Sequence, residues 1–370
     1  MQLPLTLAWL VDEASTVHGA DHFLASLGCK LIDDGVPLAG GALTLAATHP
    51  IIVSRTWLWR AETAAVIEAL GFGSSGSVRQ GTGLEQSNVG RDWLAALGTG
   101  LLQQNAVGPV ADSQAASGSP VLAWALTRPL AESECDLLCE AARFAAAPLA
   151  RLSARTTLMA LLDAYLGRRG AAQVLAGRSR REAGETIRAV LLFADLRGFT
   201  ELSESVAPAA VVSALDAWFD RIAGAVHAFG GEVLKFIGDG VLAIFPLGEG
   251  PASAACDAAI SAVTAAQAGM AHLNSARSSQ NLPSLHFGVA LHLGEMFWGN
   301  VGTADRLDFT AIGPAVNLVS RLEGLCRPLG RSVLLTEAVA AETTTTLVSV
   351  GEYPLRGIAA PCAVFGLPDE

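Results

Sequence analysis

Residues 230–245, GGEVLKFIGDGVLAIF, constrain the fold more than any other stretch. Apolar residues on both arms flank a Gly238-Asp239-Gly240 tip. Such a tip permits the positive φ of a tight turn, so the segment is expected to be a β-hairpin. Lys235 and Asp239 stand near the tip of this otherwise apolar run. Charged groups in such surroundings are costly unless they are paired or bind something charged. Upstream, VLLFADLRGFT at 190–200 reads as another apolar strand, ending on Asp195 and entering a turn at Gly198. Two carboxylates at adjacent strand ends suit hard divalent metals, which take oxygen ligands and bridge to phosphates.

With 370 residues the chain is long enough for two domains. An apolar content of 51% is ample for packed cores. The net charge of −11 argues against bulk nucleic-acid binding and against an anionic membrane surface, since both need basic patches. Mean hydropathy is +0.42, so a membrane span has to be considered. The longest charge-free run, residues 35–54, contains Pro37, Gly40, Gly41 and Pro50 and reads as strands and a turn. The N-terminus lacks a basic region and meets Asp12 and Glu13 early, unlike a signal peptide. Six scattered cysteines without a CxxC pair point to reduced thiols and a cytoplasmic location.

Residues 1–150 read as an α/β module. Helices are expected within Leu5–Leu27 and strands at 42–46, 51–59 and 121–126. Gly-, Ser- and Gln-rich stretches at 71–88 and 105–120 are expected loops. A helix is expected from Glu132 to Leu152, with Ser133 as a candidate N-cap. Residues 151–185 form a linker whose apolar spacing continues as helix until Gly167 and Gly170. Its cluster of Arg168, Arg169, Arg178, Arg180 and Arg181 fits either a solvated linker or a transmission helix. From residue 186 the pattern is regular. It predicts a strand at 187–194, a helix at 208–229, the hairpin, and a helix at 252–273 followed by a polar linker at 274–283. Strands at 285–293, 295–301 and 307–312, a helix at 315–326, and strands at 333–335, 348–353 and 362–367 complete it. The fold class is therefore α+β, with a ferredoxin-like βαββαβ core preceded by a smaller sensor-like domain.

The blocks FADLRGFT at 193–200, GEVLKFIGD at 231–239 and DFTAIGPAVNLVSRLE at 308–323 resemble, in order and spacing, the catalytic domain of the class III nucleotidyl cyclases. The segment LLDAYLG at 161–167, with the N-terminal module, is similar to a proteobacterial adenylate cyclase subgroup. The resemblance implies conversion of a nucleoside triphosphate to a 3′,5′-cyclic monophosphate. It implies that Asp195, Asp239 and the Leu196 carbonyl hold two Mg²⁺ or Mn²⁺ ions. Phe193, Gly198, Phe199 and Thr200 would lie around the phosphates. Lys235 and Thr310 would read the base. A lysine donor and a hydroxyl acceptor fit the N1 acceptor and N6 donor of adenine, so ATP is the expected substrate over GTP. Asn317 and Arg321, four apart on one helix, would orient the ribose and stabilise charge on the α-phosphate. Arg356 would contact the β,γ-phosphates, although an exposed hairpin arginine explains it equally well.

In this family the metal carboxylates and the base-reading and transition-state residues of one site come from different chains. The resemblance therefore implies a head-to-tail homodimer with two equivalent sites. It also gives residues 1–150 a regulatory role toward an unidentified effector. A catalytically silent nucleotide-binding regulator remains open, as does a guanylate cyclase. GGEV at 230–233 also partly echoes the hairpin of diguanylate cyclases.

Overall fold

The computed structural model describes residues 3–46, 52–72, 88–108, 120–178, 180, 184–303 and 305–368. The chain divides into two units, Met1–Tyr165 and Leu166–Glu370.

The N-terminal unit begins with α1 (Leu5–Asp12), a 3-10 turn (Ala14–Thr16) and α2 (Ala20–Asp33). Strands β1 (Leu38–Ala46), β2 (Ile52–Arg60) and β3 (Val66–Phe72) follow, then α3 (Asn88–Ala95), β4 (Leu102–Ala106) and β5 (Val121–Leu126). Helix α4 (Glu132–Phe144) leads into α5 (Ala146–Leu175). The sheet order is β3-β2-β1-β5-β4, with every pair antiparallel. Phe23, Leu24, Leu27 and Leu31 recur at helical spacing on α2, are fully buried, and share a core with Leu43, Trp59 and Trp124. Gly28 has a packing reason, because a Cβ there would fall 2.3 Å from the Trp59 ring. Strands β3 and β4 and helix α3 were not expected from the sequence. The expected loops at 71–88 and 105–120 lie largely outside the described residues, and so does Ile51 at the start of an expected strand. The N-cap of α4 is Ala131 and not Ser133; its N–H donates to the Glu134 carboxylate at 2.7 Å.

Helix α5 contains one break. Gly167 takes φ 71°, ψ 163°, a conformation open to glycine, and the helix resumes through Gly170 to Leu175.

The C-terminal unit continues with β6 (Gly184–Arg197), α6 (Phe199–Ser205), α7 (Pro208–Ala228), β7 (Glu232–Ile237), β8 (Gly240–Pro246), α8 (Ala252–Ser279) and β9 (His286–Gly302). Then come β10 (Leu307–Ile312), α9 (Pro314–Glu323), β11 (Val333–Thr336), α10 (Glu337–Ala340), β12 (Val348–Tyr353) and β13 (Cys362–Gly366). The sheet order is β12-β13-β11-β9-β6-β8-β7, with β10 paired to β9. The central four, β9-β6-β8-β7, form the split βαβ arrangement expected of this element order. Strand β6 alternates strictly between two cores. Val190, Leu192, Ala194 and Leu196 pack with α7 and α8, while Ile187, Ala189 and Leu191 pack with α9.

Several boundaries differ from expectation: β6 extends to Gly184 and Arg197 beyond the expected 187–194, and α9 stops at Glu323 short of Cys326. Helix α8 runs on to Ser279 where a polar linker was expected from Asn274. The polar residues there are satisfied without leaving the helix: Ser275 Oγ donates to the Ala271 carbonyl, and Asn274 bonds both backbone groups of Leu285. Strand β9 is continuous where Gly294 was read as a break between two strands. That glycine serves packing instead, since a Cβ there would lie 2.8 Å from the Ala315 Cβ on α9. Gly294→Val should therefore overpack this contact and lower stability by about 1–3 kcal/mol, measured by urea unfolding. An unchanged unfolding midpoint would show that α9 yields freely.

Candidate active site

The hairpin tip is a two-residue loop, Gly238-Asp239, between paired Ile237 and Gly240. Gly238 takes φ 63°, the positive value that the first loop position of a tight hairpin favours in glycine. The next residue is pinned from behind. Trp218 on α7, fully buried, donates its indole N–H to the Asp239 carbonyl at 2.9 Å. Ala194 pairs with Val241, which sets Asp195 beside Gly240 across the β6–β8 ladder. A Cβ on Gly240 would lie 3.2 Å from Asp195 Oδ1. Burial, the charge of Asp239 and a hydrogen bond with the Asp239 carboxyl push the Asp195 carboxyl up to about 6. The structure thus brings the two predicted metal carboxylates together. Two acids held so close favour a shared proton or a bound cation. Among the described residues, no group of three or more His, Cys, Asp or Glu side chains is placed to hold a metal ion. The donor set expected from the sequence is these two carboxylates plus the backbone carbonyl of Leu196, an all-oxygen set of the kind hard divalent cations take.

Lys235 lies on the same hairpin but faces elsewhere. Strand β7 carries a β-bulge between Val233 and Lys235. Residues directly opposite in a ladder share a face, and Glu232 and Lys235 stand opposite Ile244 and Leu242. Both therefore lie on the α9 side of the sheet, although they are three residues apart. The Lys235 ammonium donates to Asp308 on β10, forming an ion pair. Asp308 and Thr310 alternate with buried Phe309, so they share one face of β10. The predicted base-reading pair thus sits on two strands that share no ladder and are joined by the Lys235–Asp308 contact, a partner that sequence reasoning missed.

Asn317 and Arg321 lie on α9, whose Ala315, Val319 and Leu322 face the core. Asn317 is exposed and Arg321 half-buried. The Arg321 guanidinium stands beside Gly357, where a Cβ would be 3.3 Å from Nη1, so Arg356 and Arg321 occupy one neighbourhood. Arg356 itself is exposed. At the end of α9, burial first and then the charge of Asp195 push the Glu323 carboxyl up to about 7, with Arg197 opposing. Gly288 makes room for it, since a Cβ there would meet Glu323 Oε1 at 2.3 Å. Among the described residues, no hydrogen bond or ion pair joins the Asp195–Asp239 pair to Lys235, Asn317 or Arg321.

The turn after β6 has Gly198 in the left-handed region at φ 72°, immediately before α6. Leu196 is buried, and on α6 Phe199 packs partly on the core while Thr200 is exposed. Phe193 is half-buried, its ring against Gly240. Sequence reasoning also left open what Arg169 does. It is no solvated linker residue: it bonds Glu232 of β7 through Nε and Nη2, at 2.9 and 2.8 Å, and Glu185 of β6 at 2.7 Å. Arg181, from the same basic cluster, lies outside the described residues.

Residues 182–365 match the family described as "Adenylate and Guanylate cyclase catalytic domain". This segment is a class III nucleotidyl cyclase domain. An adenylate cyclase of Anabaena cylindrica is 35% identical over 161 residues, covering 42% of this chain and 31% of that protein. Adenylate cyclase 1 of Rhizobium meliloti (strain 1021) is 36% identical over 154 residues, covering 41% of this chain and 23% of that one. The chain thus spans a third or less of the length of these relatives. The solved structure of a bacterial light-regulated adenylyl cyclase is similar in fold, with a TM-score of 0.51 at 19% identity, covering 72% of this chain and 85% of that one. No described helix is long and apolar enough to cross a membrane.

The Asp195 shift sets a pH test. Its folded value, about 6, lies above the ordinary 3.8. Its stabilising contribution is present below the ordinary value and is lost as pH rises through the folded one. In metal-free protein, Asp239→Asn should raise the melting temperature at about pH 7.5 and much less at about pH 5. Equal changes at both pH values would contradict the carboxylate pair.

Proposed function

We propose that this chain is an adenylate cyclase that converts ATP to 3′,5′-cyclic AMP and pyrophosphate as a head-to-tail homodimer with shared active sites. The observation that carries the reading is the half-buried Asp195–Asp239 pair at the meeting of a strand end and a hairpin tip. Asp195, Asp239 and the Leu196 carbonyl would hold two Mg²⁺ or Mn²⁺ ions. Bound there, the metal supplies a lowered pKa for the ribose 3′-hydroxyl and neutralises charge on the leaving pyrophosphate.

The rest falls to protein groups. Lys235 donates to adenine N1, and the Thr310 hydroxyl accepts from the N6 amino group. Guanine, with an N1–H donor and an O6 acceptor, mismatches both. Asn317 orients the ribose. Arg321 donates to the α-phosphate oxygens as charge develops there, and its planar fork suits that role. The Gly198–Thr200 turn and Phe193 lie around the phosphates, with Arg356 toward the β,γ end. Thr310, Asn317 and Arg321 of one subunit complete the site whose carboxylates belong to the other.

The N-terminal unit is proposed as regulatory, answering an effector of unidentified chemistry. The chain leaves that unit along α5, and the segment after Gly167 meets the hairpin through the hydrogen-bonded Arg169–Glu232 ion pair.

Purified full chain with ATP and Mn²⁺ should form cyclic AMP. Asp195→Ala should abolish it, and Arg321→Ala should lower kcat about 100- to 1,000-fold. A wild-type chain that binds ATP without turnover would leave the silent regulator as the reading. Activity unchanged in Asp195→Ala would overturn the carboxylate assignment.

A further inference from the structure

A lysine ammonium on a flexible four-carbon stem is a poor reader of a base edge unless something aims it. The proposed chemistry needs Lys235 to find a ring nitrogen acceptor and to ignore an oxygen acceptor one position along the edge. Three observations bear on how it is aimed. The β7 bulge turns Lys235 onto the side of the sheet where α9 packs. There the ammonium is engaged by Asp308. Asp308 stands on β10, two residues before Thr310 and on the same face.

An exposed ion pair by itself contributes little to stability, and many do nothing else. This one differs in what it joins. Strand β7 pairs with β8, and β10 pairs with β9, so the two strands share no ladder. Across that gap the contact ties the proposed lysine reader to the strand that carries the proposed hydroxyl reader.

We infer that Asp308 is a positioning residue that fixes the Lys235 ammonium for adenine N1, and so sets the preference for ATP over GTP; this rests on the adenylate cyclase reading above. With one donor held by Asp308, the ammonium offers its remaining donors to an acceptor at N1. To reach guanine O6 it must swing away from its partner. Removing the carboxylate frees that swing, so ATP loses an aligned donor and GTP gains one.

The test is kcat/KM for ATP and for GTP, with Mn²⁺, in the full-length chain and in Asp308→Ala and Asp308→Glu. Asp308→Ala should lower kcat/KM for ATP about fivefold, mainly through KM, and lower the ATP-to-GTP ratio at least as much. Asp308→Glu should recover most of the ratio. The melting temperature should stay at the wild-type value, because Asp308 is exposed. Should Asp308→Ala fail to fold, the near-isosteric Asp308→Asn carries the same prediction. An ATP-to-GTP ratio unchanged in a folded variant overturns the positioning role while leaving the cyclase reading intact. A wild-type chain that forms no cyclic product overturns the cyclase reading itself, and the inference falls with it.

Discussion

Two carboxylates pressed together in a half-buried place are the constraint that the catalytic unit depends on. The β6–β8 ladder sets Asp195 beside Gly240, the left-handed Gly238 turns the chain, and the Trp218 indole holds the Asp239 backbone. Each of these is an ordinary packing or hydrogen-bonding feature. Their sum is a pair of acids that repel each other and are partly stripped of water. Folding tolerates such a pair when a proton or a cation relieves it. Burial first, and then the charge of Asp195, also raise the Glu323 carboxyl nearby.

The hairpin that carries Asp239 also carries Lys235, and the bulge separates their surroundings. The aspartate meets the end of β6, whereas the lysine meets β10. Glu232, at the base of the same strand, is held by Arg169 from the last turns of α5. One short hairpin therefore receives three kinds of restraint: a carboxylate neighbour, an ion pair to the β10 strand and a clamp from the connecting helix. In the proposed dimer its two charges serve two different active sites. Small displacements of this hairpin would then alter metal holding and base reading together.

Much of this was legible in the residues. The hairpin, the strand that carries Asp195 (though it runs on to Arg197) and strand β10 follow from apolar alternation and turn chemistry. The N-terminal unit was less so, for a physical reason. Strand β3 is mostly exposed and β4 is the polar segment LQQNA, and both are edge strands with no fully buried face. Without burial on one face there is no alternation to read. Gly294 misled in the opposite direction, because a glycine that admits a neighbouring helix looks, in sequence, like one that permits a turn. Asp308 was hidden by the bulge, since simple alternation does not predict which way Lys235 points. Arg169 looked like one of a solvated basic cluster until its two glutamate partners, from β6 and β7, came within reach.

The central claim is that one site is assembled from two chains, and complementation tests it most directly. Asp195→Ala and Arg321→Ala chains, the first inactive and the second nearly so alone, would be mixed under conditions that let subunits exchange, and cyclic AMP formation followed. The account predicts recovery to about a quarter of wild-type activity, since half of the dimers are mixed and each holds one intact site. Absence of any recovery, with mixed dimers demonstrably formed, would contradict it.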